Sequence, residues 1–484
     1  MLTLRQYQEA GGAFLREVWS PGWEGPRVKL NCDEMGLGKT PQAVMALPGE
    51  LYGEPDPCVL VICPAGLRRV WERHFADWRP DLKPVRMDKT ADLRAPSYGE
   101  AVIVSPDALG WAQRGRRALA ASMAQAQAMA ALGRLRAGLM VDPERTVVII
   151  DEAHRVKGAD AVRAQATGAI TRPLVMKGGT AWALTATPMP KDASDLINLL
   201  RRLGGEASPY AFGGRGESGW QTWARAKRRR KGWSFDGPPL LPLDDPATMG
   251  RMLIRRLVRD HLPEIPAPTH EIRLVSISSE LSAEADEIMR AGCRACGADF
   301  RHAARSVTDA PSEEDDRLLR AIGRVDRGAL SSLSLRLAEA KTPHVMEHLK
   351  GLIAAGVPAV VYSEHKPTIE TMKCAGHPVF MGGMSERARD SAVCKFQEGD
   401  AAAFGFTGAG REGITLTRAA VFLEADTNWS ADDRDQAIGR VVRFGQEGNP
   451  SVVHFLADHP IERLKLRTLA RKRALKIAAL GTSL

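Results

Sequence analysis

The stretch Val28-Lys-Leu-Asn-Cys-Asp33-Glu-Met-Gly36-Leu-Gly38-Lys39-Thr40 decides the reading of this chain. A short strand pattern runs into a loop with two glycines, and the loop opens a helix pattern over Pro41–Leu47. A phosphate needs backbone N–H groups that can approach it closely, which glycine permits, and it gains from the positive end of a helix. Lys39 is placed to reach β- and γ-phosphates, and the Thr40 hydroxyl to hold Mg²⁺. The generic phosphate-loop pattern asks for Gly five positions before Gly38, where this chain has Asp33. On these residues alone, a strand–helix turn without a ligand stays open.

The second half of such a site is an acidic pair at the exit of another strand. Thr146-Val-Val-Ile-Ile-Asp151-Glu152-Ala-His154 supplies it. Parallel sheets bind ligands beyond the carboxyl ends of their strands. Asp151 would hold Mg²⁺ through its water shell, and Glu152 would polarise the attacking water. A solvated strand end explains Asp-Glu by itself, but both halves in one sheet favour the nucleotide site.

Working outward, short apolar runs alternate with helical patterns. Strands are expected at Val28–Cys32, Val59–Cys63, Ala101–Ser105, Thr146–Ile150 and Ala181–Thr185. Their nearly continuous apolar character is that of parallel strands covered on both faces. Helices are expected at Leu67–Trp78 and Arg116–Leu139. The rhythm stops near Gly204. Residues 204–250 carry many Gly, Pro and Trp and the run Arg225-Ala-Lys-Arg-Arg-Arg-Lys231, while 251–340 read mostly as helix. The α/β rhythm resumes with strands at Ala359–Ser363, Val379–Met381, Ala402–Phe406, Ala420–Ala425 and Val452–Leu456, and the chain ends in a basic helix over about Ile461–Leu480. The fold class is therefore α/β, with two parallel-sheet lobes and a helical insert. The expected division is 1–204, 205–340, 341–458 and a terminal helix at 459–484.

The chain has 484 residues, about three domains at roughly 150 residues each. Hydrophobic residues make up 44% and charged residues 26%, which suits a globular chain with a real core. The net charge of +9 points to a polyanionic partner only where it is clustered. The N-terminus has no apolar signal segment, and no uncharged apolar run approaches the roughly 18 residues of a membrane span. Seven cysteines, sparse and odd in number, fit a reducing compartment. Cys293-Arg-Ala-Cys296 is a lone CxxC, read as two cysteines on a helix rather than zinc ligands.

With both halves of the site in view, the sequence resembles helicase superfamily two, and within it the Swi/Snf-type double-stranded DNA translocases of the remodeller and annealing-helicase style. Leu4-Arg-Gln-Tyr-Gln8, with Gly11 or Gly12 and Phe14-Leu15, resembles the family's adenine-reading opening, and Asp33–Thr40 resembles its own form of motif I, Asp33 included. Val61–Leu67 running on to Trp71 and Trp78 resembles motif Ia, Asp151–His154 the Asp-Glu-Ala-His box of motif II, and Leu184-Thr-Ala-Thr187-Pro188 motif III. Met252-Leu-Ile-Arg-Arg256 and Leu262–Pro266 resemble the linker block, Val360–Ser363 motif IV, and Gly410-Arg-Glu-Gly413-Ile-Thr-Leu416 motif V. Gln436-Ala-Ile-Gly-Arg440-Val-Val-Arg443-Phe-Gly-Gln446 resembles motif VI, the most specific of these patterns. Three departures stand out. Met189-Pro190 follow motif III where a polar residue is usual, and motif V carries Arg411-Glu412 and Thr415 where small residues and Asn are common.

The resemblance implies two RecA-like lobes and an ATP- and Mg²⁺-dependent motor on duplex DNA. It implies that Gln8 reads the base, that Gly413 lines the nucleotide, and that Gln436, Arg440 and Arg443 act at the γ-phosphate. The two arginines are expected three apart on one helix face. DNA contacts are expected from Thr187 and from Arg228, Arg229 and Arg230, the last three alternatively in a solvated loop. The terminal helix is read as a brace rather than a DNA contact, and His154 as a coupling residue. The expected protein is a monomeric cytoplasmic motor of bacterial or phage origin, free of membranes, with DNA-bound proteins as candidate targets. Two other readings stay open: a nucleotide-gated DNA clamp with little turnover, and a strand-separating DNA or RNA helicase.

Overall fold

The computed structural model describes residues 3–114, 123–158, 161–188, 193–204, 251–265, 267–411, 413–426, 430–443, 445–446 and 448–480. The expected basic contacts Arg228, Arg229 and Arg230 lie outside the described residues, as do Met189-Pro190 and Glu412. The chain divides into two compact units with the boundary between His261 and Leu262.

The first unit opens with helix α1 (Gln6–Arg16) and strand β1 (Val28–Asn31), followed by α2 (Lys39–Ala46), β2 (Cys58–Ile62), α3 (Arg68–Trp78), β3 (Lys83–Arg86) and β4 (Glu100–Val104). Then come α4 (Pro106–Arg114), α5 (Met123–Leu139), β5 (Thr146–Asp151), α6 (Val162–Met176), β6 (Thr180–Leu184), α7 (Ala193–Leu203) and β7 (Leu253–Ile254). Among the described residues the strands form a seven-stranded sheet in the order β3-β4-β2-β5-β6-β1-β7, parallel at every pairing. One face packs Leu60, Val102 and Val148 against α4–α7, and the other packs Val61, Ile103 and Ile149 against Trp71, Phe75 and Val44. Burial on both faces is why these strands read as continuous apolar runs.

The second unit begins with β8 (Thr269–Val275) and the helices α8 (Ser279–Cys296), α9 (Glu313–Val325) and α10 (Arg327–Ala354). It continues with β9 (Ala359–Tyr362), α11 (Lys366–Cys374), β10 (Val379–Phe380), α12 (Glu386–Gln397), β11 (Ala403–Phe406), β12 (Val421–Glu424), α13 (Ala431–Ile438), β13 (Ser451–Ala457) and α14 (Pro460–Leu480). Its sheet runs β10-β11-β9-β12-β13-β8, again parallel throughout. Helices α8–α10 start at side-chain caps: Ser278 accepts from the Leu281 amide at 3.2 Å, Ser312 from Asp315 at 3.3 Å, and Asp326 from Ala329 at 2.8 Å. They bury Met289, Leu318, Ile322 and Leu337 around Leu464 of α14. Cys293 and Cys296 both lie on α8, and the His302 ring is committed to Asp315 at 3.1 Å.

Three strands were not expected from the sequence: β3, β7 and β8. Each lies at the edge of its sheet, and β7 and β8 fall in the stretch read as mostly helical. The basic residues of α14 are largely neutralised within the unit, with Arg463 on Asp458, Arg467 on Asp315, Arg471 on Asp316 and Arg473 on Asp435. The Arg467–Asp315 pair is fully buried. Among the described residues no helix is long and apolar enough to cross a membrane.

Candidate nucleotide-binding site

Strand β1 delivers the chain into the loop 32–38, and Lys39 is the first residue of α2. Gly36 (φ 91°) and Gly38 (φ 70°) are both left-handed, which keeps the turn tight and leaves its amides unscreened by side chains. A methyl at Gly38 would also displace Gln8 Nε2, which packs against it. Gln8 sits against this loop: its Nε2 donates to Leu37 O at 3.3 Å, and its Oε1 accepts from the Arg5 amide at 3.0 Å. Lys39 Nζ donates to Asp33 O at 2.8 Å and Glu34 O at 3.3 Å, so the ammonium lies over the loop. Thr40, the next residue, is half-buried.

Asp33, the residue that breaks the generic pattern, is completely buried. Its amide donates to Asn31 Oδ1 at 3.1 Å, and Oδ2 accepts from Gln42 Nε2 at 3.1 Å. Arg256, from the linker block, binds its carboxylate in a fork, with Nε at 3.0 Å from Oδ1 and Nη2 on Oδ2. Asn31, Gln42 and Arg256 thus do what a glycine cannot, holding the loop from below. Sequence reading missed Asn31 and Gln42, and it read Arg256 only as a linker arginine that links lobes or binds phosphate; the signal was the acid at position 33 directly after an apolar strand, which must be paired once buried.

Strand β5 places Asp151 at its carboxyl end. Asp151 Oδ2 accepts from Trp71 Nε1 at 2.8 Å, and Oδ1 accepts from the Glu152 amide at 2.9 Å. Its carboxyl is pushed up to about 7, first by removal from water and then by the Glu152 charge; the Trp71 indole and the Lys39 ammonium pull the other way. A carboxyl held that high is one on which a bound cation would have the largest effect. Strands β1 and β5 flank β6 in one parallel sheet, so motifs I and II leave the sheet at the same edge. Glu152 has φ 47°, the one left-handed non-glycine among the described residues, and such strain gathers at functional sites. These features fit a nucleotide with Mg²⁺.

His154 Nδ1 lies 3.2 Å from Glu152 Oε2 and 3.3 Å from Thr185 Oγ1, joining motif II to motif III. Thr185 Oγ1 in turn accepts from the Thr187 amide at 3.1 Å. Thr187, expected at DNA, is 3% exposed and belongs to this inward-facing chain of polar groups.

In the second unit, Gly413 (φ 82°) lies in the motif V loop. Gln436 is on α13, 2% exposed, and its Nε2 has no hydrogen-bond partner among the described residues. Helix α13 ends at Ile438, so the expectation that Arg440 and Arg443 share a helix face is corrected: both lie in the turn that follows. Gly439 and the β-branched pair Val441-Val442 disfavour continuation of the helix. The turn is held on the motif V loop instead. Arg440 O accepts from the Leu416 amide at 2.9 Å, Arg440 Nη1 reaches Ile414 O at 3.4 Å, and Arg443 Nη1 donates to Thr415 Oγ1 at 2.9 Å. The two departures in motif V that are described have partners here: Thr415 holds Arg443, and Arg411 pairs with Glu364 at 3.1 Å and Asp433 at 3.4 Å.

Two family models match the chain. The SNF2-related domain model matches residues 7–282, and the helicase conserved C-terminal domain model matches 342–445. The chain is 24% identical over 440 residues to the SWI/SNF-related matrix-associated actin-dependent regulator of chromatin subfamily A-like protein 1 of Xenopus tropicalis, covering 88% of this chain and 40% of that protein. It is 26% identical over 473 residues to the DNA annealing helicase and endonuclease ZRANB3 of Mus musculus, covering 91% and 38%. The chain therefore spans about two fifths of the length of these relatives. The Sulfolobus solfataricus SWI2/SNF2 ATPase core in complex with dsDNA aligns over 99% of this chain and 94% of that one, at 19% identity and a TM-score of 0.38. On the two domain matches, with the RecA-like parallel sheets and the motif geometry above, the chain belongs to the Swi/Snf-type family of helicase superfamily two.

Proposed function

We propose that this protein is an ATP-dependent double-stranded DNA translocase, a DNA-dependent ATPase that turns hydrolysis into movement along duplex DNA. The observation that carries the reading is the convergence, at the carboxyl ends of β1 and β5, of a left-handed glycine loop, the Lys39 ammonium and the Asp151–Glu152 pair. A lysine over a glycine loop, beside paired carboxylates, is the equipment of phosphoryl transfer to water.

In this reading the loop amides and Lys39 bind the β- and γ-phosphates and Gln8 reads the base. Mg²⁺, held by Thr40 and Asp151, would draw charge from the phosphates. Glu152 orients the attacking water and accepts its proton, with His154 fixing the carboxylate. Arg440, Arg443 and Gln436 stabilise the charge that develops on the γ-phosphate, worth roughly 10³–10⁵-fold for arginines in related phosphoryl transfers. The names of the relatives, a chromatin regulator and a DNA annealing helicase, favour DNA as the track.

The test is phosphate release by wild type and Lys39→Ala with duplex DNA, single-stranded DNA or RNA. Stimulation by duplex, lost in Lys39→Ala, supports the reading, and triplex displacement then reports directional movement. Preferential stimulation by single strands or RNA would favour a strand-separating helicase. ATP-dependent changes in DNA affinity without phosphate release would favour a clamp.

A further inference from the structure

The Arg256 guanidinium touches three separate pieces of the nucleotide site. It forks onto the Asp33 carboxylate through Nε at 3.0 Å and Nη2, it donates from Nη2 to Gln42 Oε1 at 2.8 Å, and it donates from Nη1 to the Tyr7 carbonyl. The first two contacts lie beneath the phosphate loop. The third is the carbonyl of the residue just before Gln8, whose side chain leans on that same loop at Leu37. Arg256 is therefore the rivet between the base end and the phosphate end of the site.

The surroundings are built to admit it. Gly11 faces the guanidinium from α1, and a methyl there would overlap both Arg256 Nη2 and Gln42 Oε1. The backbone carrying Arg256 is fixed to the loop as well: the Cys32 amide donates to Ile254 O at 2.7 Å, the Glu34 amide to Arg256 O at 3.0 Å, and the Val258 amide to Glu34 Oε2 at 2.8 Å. A bidentate guanidinium–carboxylate pair fixes orientation as well as distance, which an ammonium does not.

We propose that Arg256 is a positioning residue that sets the register between the base-reading Gln8 and the phosphate loop, and so determines the preference for adenine over other purine triphosphates. The proposal rests on the nucleotide-site reading above. Phosphates bound on the loop fix where the base falls. If Tyr7–Gln8 drifts relative to Asp33, the base is no longer met by the Gln8 amide, although phosphates still bind.

Two variants approach the rivet from opposite sides. R256K keeps the charge but loses the fork, and G11A adds a methyl where Nη2 lies, in a helix where Ala is otherwise the better residue. KM and kcat are measured for wild type and both variants with MgATP and MgGTP, alongside melting temperature without nucleotide. The expected result is that wild type prefers ATP in KM, and that each variant reduces this preference roughly tenfold while kcat at saturating ATP changes less. A merely structural role would lower melting temperature and leave the ATP-to-GTP ratio alone, which would overturn the proposal. If R256K fails to fold, the ATP-to-GTP ratio of G11A decides between the same two outcomes. A wild type that uses ATP and GTP equally would overturn this proposal and leave the translocase reading intact. A wild type that hydrolyses neither would overturn both.

Discussion

Trp71 donates its indole N–H to Asp151 Oδ2 across 2.8 Å, so a completely buried residue of α3 orients the carboxylate at the end of β5. Outer partners of metal-binding carboxylates fix their direction and tune their affinity. Trp71→Phe keeps most of the ring and removes the donor. Phosphate release at saturating ATP is expected to fall by roughly 10- to 100-fold, with the Mg²⁺ requirement shifted to higher concentration. Unchanged kcat and Mg²⁺ dependence would show that the bond only packs.

Lys39 is held by two loop carbonyls, Asp33 O and Glu34 O. Its removal takes one donor from two part-buried carbonyls and opens no cavity in the apolar core, so the expected loss of fold stability is small. Lys39→Ala is expected to lower hydrolysis by roughly 10²–10³-fold while changing unfolding free energy by about 1 kcal/mol or less. Urea titration beside the kinetic assay checks both halves.

Arg443 and Thr415 make an ordered pair of predictions. Arg443→Ala should reduce kcat by roughly 10³-fold if the guanidinium meets the γ-phosphate. Thr415→Val, which only removes the acceptor that holds Arg443 at 2.9 Å, should reduce kcat roughly tenfold. Single-turnover hydrolysis by both variants tests the order, and a Thr415→Val defect equal to that of Arg443→Ala would place Thr415 itself at the reaction.

Glu424, at the end of β12, predicts acid sensitivity of the second unit. Burial pushes its carboxyl up, but the Arg434 guanidinium, 3.0 and 3.1 Å from its two oxygens, and the His454 ring outweigh burial and bring it from 4.5 down to about 2. A folded-state value below the unfolded one gives stability that is complete above pH 4.5 and is lost as the pH falls toward 2. Glu424→Gln should cost about 2 kcal/mol at neutral pH, since Arg434 is partly exposed, and should flatten the acid limb. Thermal unfolding of both proteins between neutral and strongly acid pH measures it.

Arg467, fully buried on α14, binds Asp315 through Nε at 3.1 Å and Nη2 at 2.9 Å, and donates to Arg305 O at 2.6 Å. Arg467→Met leaves Asp315 without its counter-charge and should destabilise the protein by about 3–5 kcal/mol. The double variant with Asp315→Leu should recover part of that loss. A double variant no more stable than the single one would show that the pair is held for more than charge balance.

The strands at the centres of both sheets, and the loops at their carboxyl ends, were legible because of what burial demands. A strand covered on both faces must be apolar along its whole length, as Val147–Ile150 and Val59–Ile62 are. The edge strands β3, β7 and β8 have no such signature: Lys83-Pro-Val-Arg86 is charged at both ends and at most half-buried, Leu253-Ile254 is two residues long, and all of β8 but Val275 is exposed. Their assignment comes from backbone pairing with β4, β1 and β13, which no local pattern announces.

The sequence by itself determined the residues of the candidate site, because the proposed phosphate chemistry restricts residue type and spacing within a few positions: two glycines, a lysine and a threonine after one strand, and two acids after another. Tertiary structure alone decided what holds that chemistry in place. Asp33 and Arg256 meet across 223 residues, Trp71 and Asp151 across 80, and the motif VI arginines leave their helix to rest on the motif V loop. Those pairings follow from which strands lie side by side in the sheet and from the need of a buried charge or donor for a partner. Chain folding meets that need at long range, where sequence spacing carries no signal.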